Sequence, residues 1–125
     1  MKYSNIQDVL RDVQARYKTV DELSRKDIGA GCVYGKERNG IGCAIGCLLE
    51  EPADVLYELD NRSSGGTIHT IHRRRHKIYA KYFTDALLDE LEQLQVLHDE
   101  APSYEIFMQE LERWITTGQS PARCR

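Results

Sequence analysis

The chain has 125 residues, of which 41% are hydrophobic and 30% charged, and its formal net charge is −3 at pH 7. This size predicts one globular domain, residues 1–118, with a C-terminal tail at 119–125. No apolar run approaches the roughly 20 residues of a membrane-spanning helix and no signal-peptide pattern is present, so we expect a cytoplasmic protein with no membrane partner.

The N-terminal segment has the pattern of an amphipathic helix. Ser4 and Gln7 have the spacing of a capping box, and apolar residues then recur every three or four positions as far as Tyr17. Thr19 and Glu22 repeat the capping-box spacing and predict a short second helix. Both segments are typical of structural scaffold.

The next stretch, Gly31–Leu49, contains three of the four cysteines. Asn39-Gly40 within it favours a tight turn, because both residue types tolerate positive φ. The residues Cys32-Val33-Tyr34 before this turn suit a short strand, and the residues after it are apolar with glycines between them. We therefore predict a β-hairpin that leads into a short buried helix ending before Pro52.

Turn residues and apolar periodicity divide the rest of the chain. The predicted elements are a helix at Pro52–Leu59, a flexible loop at Asn61–Gly66, a strand or extended loop at Thr67–His72, a helix from Thr84 to about Leu97, and a last helix from Pro102-Ser103 to Gly118. The expected fold class is α+β: an α-rich single domain with a central β-hairpin packed by about five helices.

Charge is unevenly distributed along the second half of the chain. Arg62–Phe83 contains six Arg or Lys and no acid, whereas Thr84–Arg113 contains nine Asp or Glu and one base. Guanidinium groups beside histidines and aromatic rings suit phosphate or base recognition. The predicted ligand-binding residues are Arg62, His69, His72, Arg73, Arg74, Arg75, His76 and Tyr79. Alternatively, these charges are neutralised by the acidic helix that follows, in the same molecule or in another subunit of a homo-oligomer.

The cysteines suggest a metal site. Cys32, Cys43 and Cys47 have the spacing C-x10-C-x3-C, and zinc needs a fourth ligand. The candidates for this ligand are Cys124, His69, His72 and His76. The paired C-x2-C spacing of common zinc sites is absent, and free cysteines are readily buried in reduced proteins. We therefore favour buried thiols in a glycine-rich core and keep the zinc site as the alternative.

No enzyme signature is present in the sequence. There is no P-loop, no dinucleotide-binding glycine motif, no HExxH helix and no family-specific cysteine-nucleophile motif. His98-Asp99 could form an acid–base pair, although adjacent helical residues do not usually face each other. A Cys/His hydrolase remains an alternative, but we expect no catalytic residues.

Three short motifs resemble a pattern found in small uncharacterised proteins of phages and prophages. They are Cys32-x-Tyr34, Gly40-x2-Cys43-Ala44-Ile45-Gly46-Cys47-Leu48 and Leu94-Gln95-x2-His98-Asp99. The resemblance spans roughly Gly31–Ile115 and implies a phage accessory context without an activity. The family pattern lacks a dense basic run, so His72–His76 would be a feature of this chain.

These observations lead to an expected function. We expect a non-enzymatic phage accessory protein that inhibits a host defence system by binding an anionic partner through the basic loop Arg62–Tyr82. That partner would be a nucleotide, a nucleic acid or an acidic surface of a host protein. A zinc-stabilised interaction module is the alternative, and a Cys/His hydrolase the next.

Overall fold

The computed structural model describes residues 2–25, 33–60 and 67–121. Within these ranges the chain forms six α-helices: α1 (Ile6–Tyr17), α2 (Ala53–Asp60), α3 (Ile68–Arg74), α4 (His76–Tyr82), α5 (Leu88–Glu100) and α6 (Tyr104–Thr117). Two 3-10 turns, Gly46–Leu48 and Asp85–Leu87, precede α2 and α5. The described residues contain no strand of a sheet, so this is an all-α fold and the predicted α+β class is wrong.

The predicted central hairpin is replaced by a turn that leads into a buried 3-10 helix. Asn39 does form a turn, because its side-chain oxygen accepts hydrogen bonds from the backbone N–H groups of Ile41 and Gly42 at 3.1 and 2.8 Å. The residues that follow, 43–49, are all buried. A run that is buried on every side lacks the alternation of a half-exposed strand, and it packs as an irregular segment in the core.

Two glycines let this segment approach Tyr34. A Cβ atom on Gly46 would lie 2.7 Å from the Tyr34 carbonyl oxygen, and one on Gly42 would lie 2.6 Å from the same atom. Gly42 also has φ +92°, a conformation that favours glycine. This close backbone packing joins two irregular segments and not two strands.

The N-cap of helix α1 lies one residue later than the predicted cap, Ser4. Asn5 is the N-cap, and its side-chain oxygen accepts the backbone N–H of Asp8 at 3.0 Å. No helix forms at residues 19–25, the described part of the predicted second helix, and the Thr19 hydroxyl donates to the carbonyl of Arg16 at 2.6 Å. Thr19 therefore closes the end of α1 and does not open a new helix.

The segment Thr67–His72, predicted as a short strand or an extended loop, belongs to helix α3 and its N-cap. Thr67 is its N-cap, and the Thr67 side chain accepts the backbone N–H of Thr70 at 3.3 Å. Ile68 and Ile71 are both buried, and their separation of three residues is a helical spacing. The alternation of apolar and polar residues in the sequence favours a strand, which has a period of two, but the buried isoleucines follow the helical period.

The C-terminal helices form much of the core. Ser103 caps α6 as predicted, and Gly118 ends it in the left-handed conformation with φ +77°. Helix α6 packs against α1, and α3 packs against both α4 and α5. Buried side chains from all six helices join one hydrophobic cluster, with Tyr17, Leu94, Phe107, Leu111 and Trp114 among its members. Of the helices described, none combines the length and apolar character needed to span a membrane.

Candidate functional site

Most of the predicted ligand-binding residues lie at the junction of α3 and α4. Arg75 ends α3 and precedes α4 with φ −125° and ψ 48°, so the chain bends there. We call residues 72–79 the α3–α4 corner. It contains six of the predicted residues, while His69 lies one turn earlier on α3. Arg62 lies outside the described residues.

Carboxylates from neighbouring elements pair with several of these cations. His72 and His76 approach the same oxygen of Asp85 through their Nε2 atoms, at 3.1 and 3.5 Å. Hydrogen bonding from His72 lowers the pKa of Asp85 below its ordinary value, and His76 acts in the same direction. Arg75 binds Glu58 of α2 at 2.9 Å.

His69 lies between two carboxylates of α5. Its Nε2 atom is 3.5 Å from Asp89, and its Nδ1 atom is 3.6 Å from Glu92. The start of α5 therefore places two carboxylates beside His69, as the turn before it places Asp85 beside His72 and His76. Each of these contacts is an ion pair only when the imidazole is protonated, so neutralisation of the basic run by the acidic helix stays a prediction.

Tyr79 occupies the inner side of the corner. Its side chain is 1% exposed, and its hydroxyl donates a hydrogen bond to the Thr84 carbonyl at 2.7 Å. Its ring meets His72 edge to face, with centroids 4.7 Å apart, and stacks on His76 at 6.2 Å. Burial raises the pKa of Tyr79 to about 12. The ring supports both imidazoles and is not available to stack on a ligand base.

The remaining cations of the corner point outwards. Arg73, Arg74 and Lys77 are exposed. Within the described ranges no carboxylate lies within 4.0 Å of the charged groups of Arg73 or Lys77. The corner thus combines outward-facing positive charge with a paired histidine and carboxylate cluster beside it.

The candidate cysteine site is only partly described. Cys43 and Cys47 are buried free thiols, as the favoured interpretation predicts. The Cys43 sulfur accepts the backbone N–H of Gly46 at 3.3 Å, and the Cys47 thiol donates to the Ala44 carbonyl at the same distance. Burial raises the pKa of Cys47 to about 12. The clusters of three potential metal ligands in the described residues contain neither cysteine; Cys32 and Cys124 lie outside those residues.

His98 and Asp99 do contact each other, contrary to our argument from helix geometry. His98 Nδ1 lies 2.9 Å from Asp99, and its Nε2 atom accepts the backbone N–H of Ser24 at 3.2 Å. Ser24, His98 and Asp99 resemble a catalytic triad in composition, but the Ser24 hydroxyl donates to the Val33 carbonyl at 2.8 Å. Ser24 and His98 are both 0% exposed. Both ring nitrogens of His98 are engaged, so this group stabilises the fold.

Asp85 is the important site residue that the sequence prediction missed. Its position next to Thr84 suggested only the start of an acidic helix. The available signal was the pair His72 and His76, four residues apart, which would have justified a search for a carboxylate nearby. Only the packing of α3 and α4 against the turn before α5 reveals that Asp85 is this carboxylate.

Comparisons with protein-family models, with curated proteins and with solved structures found no match to this chain.

Proposed function

We propose that this protein is a non-enzymatic binding protein that engages an acidic surface of a partner protein through the α3–α4 corner. The observation that carries the proposal is the pair Arg73 and Lys77, four residues apart, exposed, and without a carboxylate partner in the described part of the chain. Exposed charges of this kind guide association and select oppositely charged partners.

The surroundings of the corner favour a compact acidic patch over a polynucleotide. Asp85 and Glu58 flank the exposed cations, and they would repel a continuous phosphate backbone. Single-strand binding also relies on exposed aromatic rings, whereas Tyr79 is buried. A protein surface can instead present acidic groups to Arg73 and Lys77 while placing basic groups near Asp85.

The biological setting of the proposal depends on the resemblance described for the sequence. A small accessory protein of a phage, acting on a host defence protein, would bind and block without chemistry of its own. The engagement of both nitrogens of His98 inside the core supports a role that does not depend on a catalytic histidine.

The test replaces the two outward cations and measures binding to three probes. The double variant Arg73→Ala/Lys77→Ala is compared with Arg11→Ala/Lys18→Ala, which removes the same charge from two exposed residues at α1. The probes are a poly-glutamate peptide, ATP and a single-stranded oligonucleotide, each followed by fluorescence anisotropy or calorimetry. We expect the wild type and the α1 variant to bind the peptide, and the corner variant to lose at least about tenfold in affinity.

The dependence on salt separates the classes of partner. Each phosphate neutralised on a single strand contributes a slope of about −0.7 in log K against log salt. We expect weak oligonucleotide binding and a shallow slope for the peptide. Equal binding by the two double variants would contradict the proposed surface. A clear preference for the oligonucleotide or for ATP would contradict the proposed class of partner.

A further inference from the structure

We propose that His72, His76 and Asp85 form a binding site for a divalent transition-metal ion of the zinc type. The three ligand atoms, one from each side chain, all lie within 4.8 Å of one another. This site uses neither Arg73 nor Lys77, so the metal-binding proposal and the proposed binding surface are tested independently.

The distances between the ligand atoms match those around a small metal ion. Zinc binds imidazole nitrogen and carboxylate oxygen at about 2.0–2.2 Å, so two ligands at a tetrahedral angle lie about 3.3 Å apart. The two histidine Nε2 atoms lie 3.1 and 3.5 Å from the Asp85 oxygen. Small side-chain movements would therefore place an ion between the three groups.

The buried side chain of Tyr79 supports the three ligand residues from the core side. Tyr79 contacts both imidazole rings, and its hydroxyl binds the carbonyl of Thr84, the residue before Asp85. One buried side chain thus positions all three ligands, directly or through one peptide unit. Preorganisation by such outer contacts commonly contributes about 10–100-fold to metal affinity.

The ligand types define the class of ion. Two imidazoles and one carboxylate suit zinc and its neighbours in the first transition row better than Mg²⁺ or Ca²⁺, which prefer oxygen ligands. The side chains of His72, His76 and Asp85 are 27%, 54% and 72% exposed. Solvent can therefore reach the ion, and water can complete its coordination.

The cluster of His69, Asp89 and Glu92 provides an internal comparison. Its two shortest contacts use different nitrogen atoms of the same imidazole, Nε2 towards Asp89 and Nδ1 towards Glu92. The ligand atoms of this cluster also lie within 4.8 Å of one another, but it offers one imidazole and two carboxylates, and it lacks the second imidazole that favours a zinc-type ion. The described residues contain both clusters, but only the first has two nitrogens directed at one oxygen.

The test is a titration of the full chain with ZnCl₂ near neutral pH, after treatment with a chelator. We expect about one Zn²⁺ per chain and a higher melting temperature in its presence, because an ion that binds only the folded state stabilises it. His72→Ala, His76→Ala and Asp85→Asn should each weaken binding at least about tenfold. His69→Ala is the matched control and should bind like the wild type.

Titration with Co²⁺ then distinguishes this site from the cysteines. A site of imidazole and carboxylate ligands gives no thiolate-to-cobalt charge-transfer absorption, and we expect none. The proposal is overturned if the wild type takes up no ion, if a strong thiolate band appears, or if His69→Ala loses binding as fully as His72→Ala. Circular dichroism of each variant verifies that the helices are retained.

Discussion

The Nε2 atom of His98 accepts a hydrogen bond from the backbone N–H of Ser24, and this contact joins the end of α5 to the segment that follows α1. Because Nε2 is the acceptor, Nδ1 carries the proton and can donate to Asp99. Arg25, next along the chain, donates to the carbonyls of His98 and Asp99 at 2.8 and 2.9 Å. These contacts bind two distant segments together inside the core.

Replacing His98 should therefore affect stability and not binding. His98→Ala removes a fully buried ring and leaves the Ser24 N–H without its acceptor, so we expect the free energy of unfolding to fall by about 2–4 kcal/mol. Chemical denaturation measures this loss. Binding of the poly-glutamate peptide should be unchanged at temperatures where the variant is folded; its complete loss in a folded variant would return His98 to the functional site.

The same residue should make stability depend on pH. Burial lowers the pKa of His98, while Asp99 opposes this shift and Arg25 adds to it. A depressed pKa in the folded state means that the unfolded chain takes up the proton first. The contribution is fully present above the unfolded pKa of about 6.5 and is lost as pH falls towards the folded value.

Denaturation curves recorded between neutral and mildly acidic pH test this prediction. The wild type should lose stability over this interval, and His98→Gln should lose less. The comparison is made in a background in which His69, His72 and His76 are all Ala, so that His98 is the one histidine left in the chain. An equal slope in both proteins would refute the assignment of the effect to His98.

How far the sequence predicts the structure depends on how local the signals are. The last helix was predicted with its ends, since Ser103 and Gly118 act on their immediate neighbours. The prediction of a hairpin was wrong, although Asn39 does form a turn. A turn signal does not determine whether the segments on either side of the turn pair as strands. That outcome depends on burial around residues 43–49, which the whole fold decides.

The candidate site was predicted only in part, because some of its residues are set by local sequence and others by tertiary packing. The basic run identified the right region, and the bulk of its residues meet at the α3–α4 corner. Tyr79 was expected as a ligand contact but is buried, because it lies four residues before the buried Phe83 and packs beside it. Asp85 and Glu58 are distant in sequence from their partners, and only tertiary packing brings them to the corner.

A methyl group at Gly46 should destabilise the protein. In Gly46→Ala the new Cβ would lie 2.7 Å from the Tyr34 carbonyl oxygen and 2.9 Å from its Cα. These are backbone atoms in the core and cannot move away easily, so we expect a loss of about 1–3 kcal/mol. Gly35→Ala is the control, because there the nearest atoms belong to the flexible end of the Glu37 side chain. A Gly46→Ala variant as stable as the control would contradict the close packing.

The carboxylate of Asp60 should stabilise the folded protein, although it lies at the end of a helix. An acidic group at the last position of α2 is unfavourable for the helix dipole. Asp60 nevertheless accepts the backbone N–H groups of Tyr34 and Gly35, at 2.5 and 3.1 Å. Asp60→Ala should therefore cost about 1–3 kcal/mol, measured by denaturation. Asp54→Ala, at the exposed start of the same helix, should cost less; the opposite order would show that the dipole outweighs the two hydrogen bonds.

The thiols of Cys43 and Cys47 should react slowly in the native protein. Both are buried, and burial raises the pKa of Cys47 to about 12 although Arg16 and Lys36 act in the opposite direction. At Cys47 the reactive thiolate is therefore scarce as well as inaccessible near neutral pH, while Cys43 is protected by its burial. We expect a thiol reagent to label both residues only as fast as the fold opens, and mass spectrometry of digested samples assigns each site. In denaturant all four cysteines should react quickly. Rapid native labelling of Cys43 or Cys47 would show that the segment after Asn39 is not packed as described.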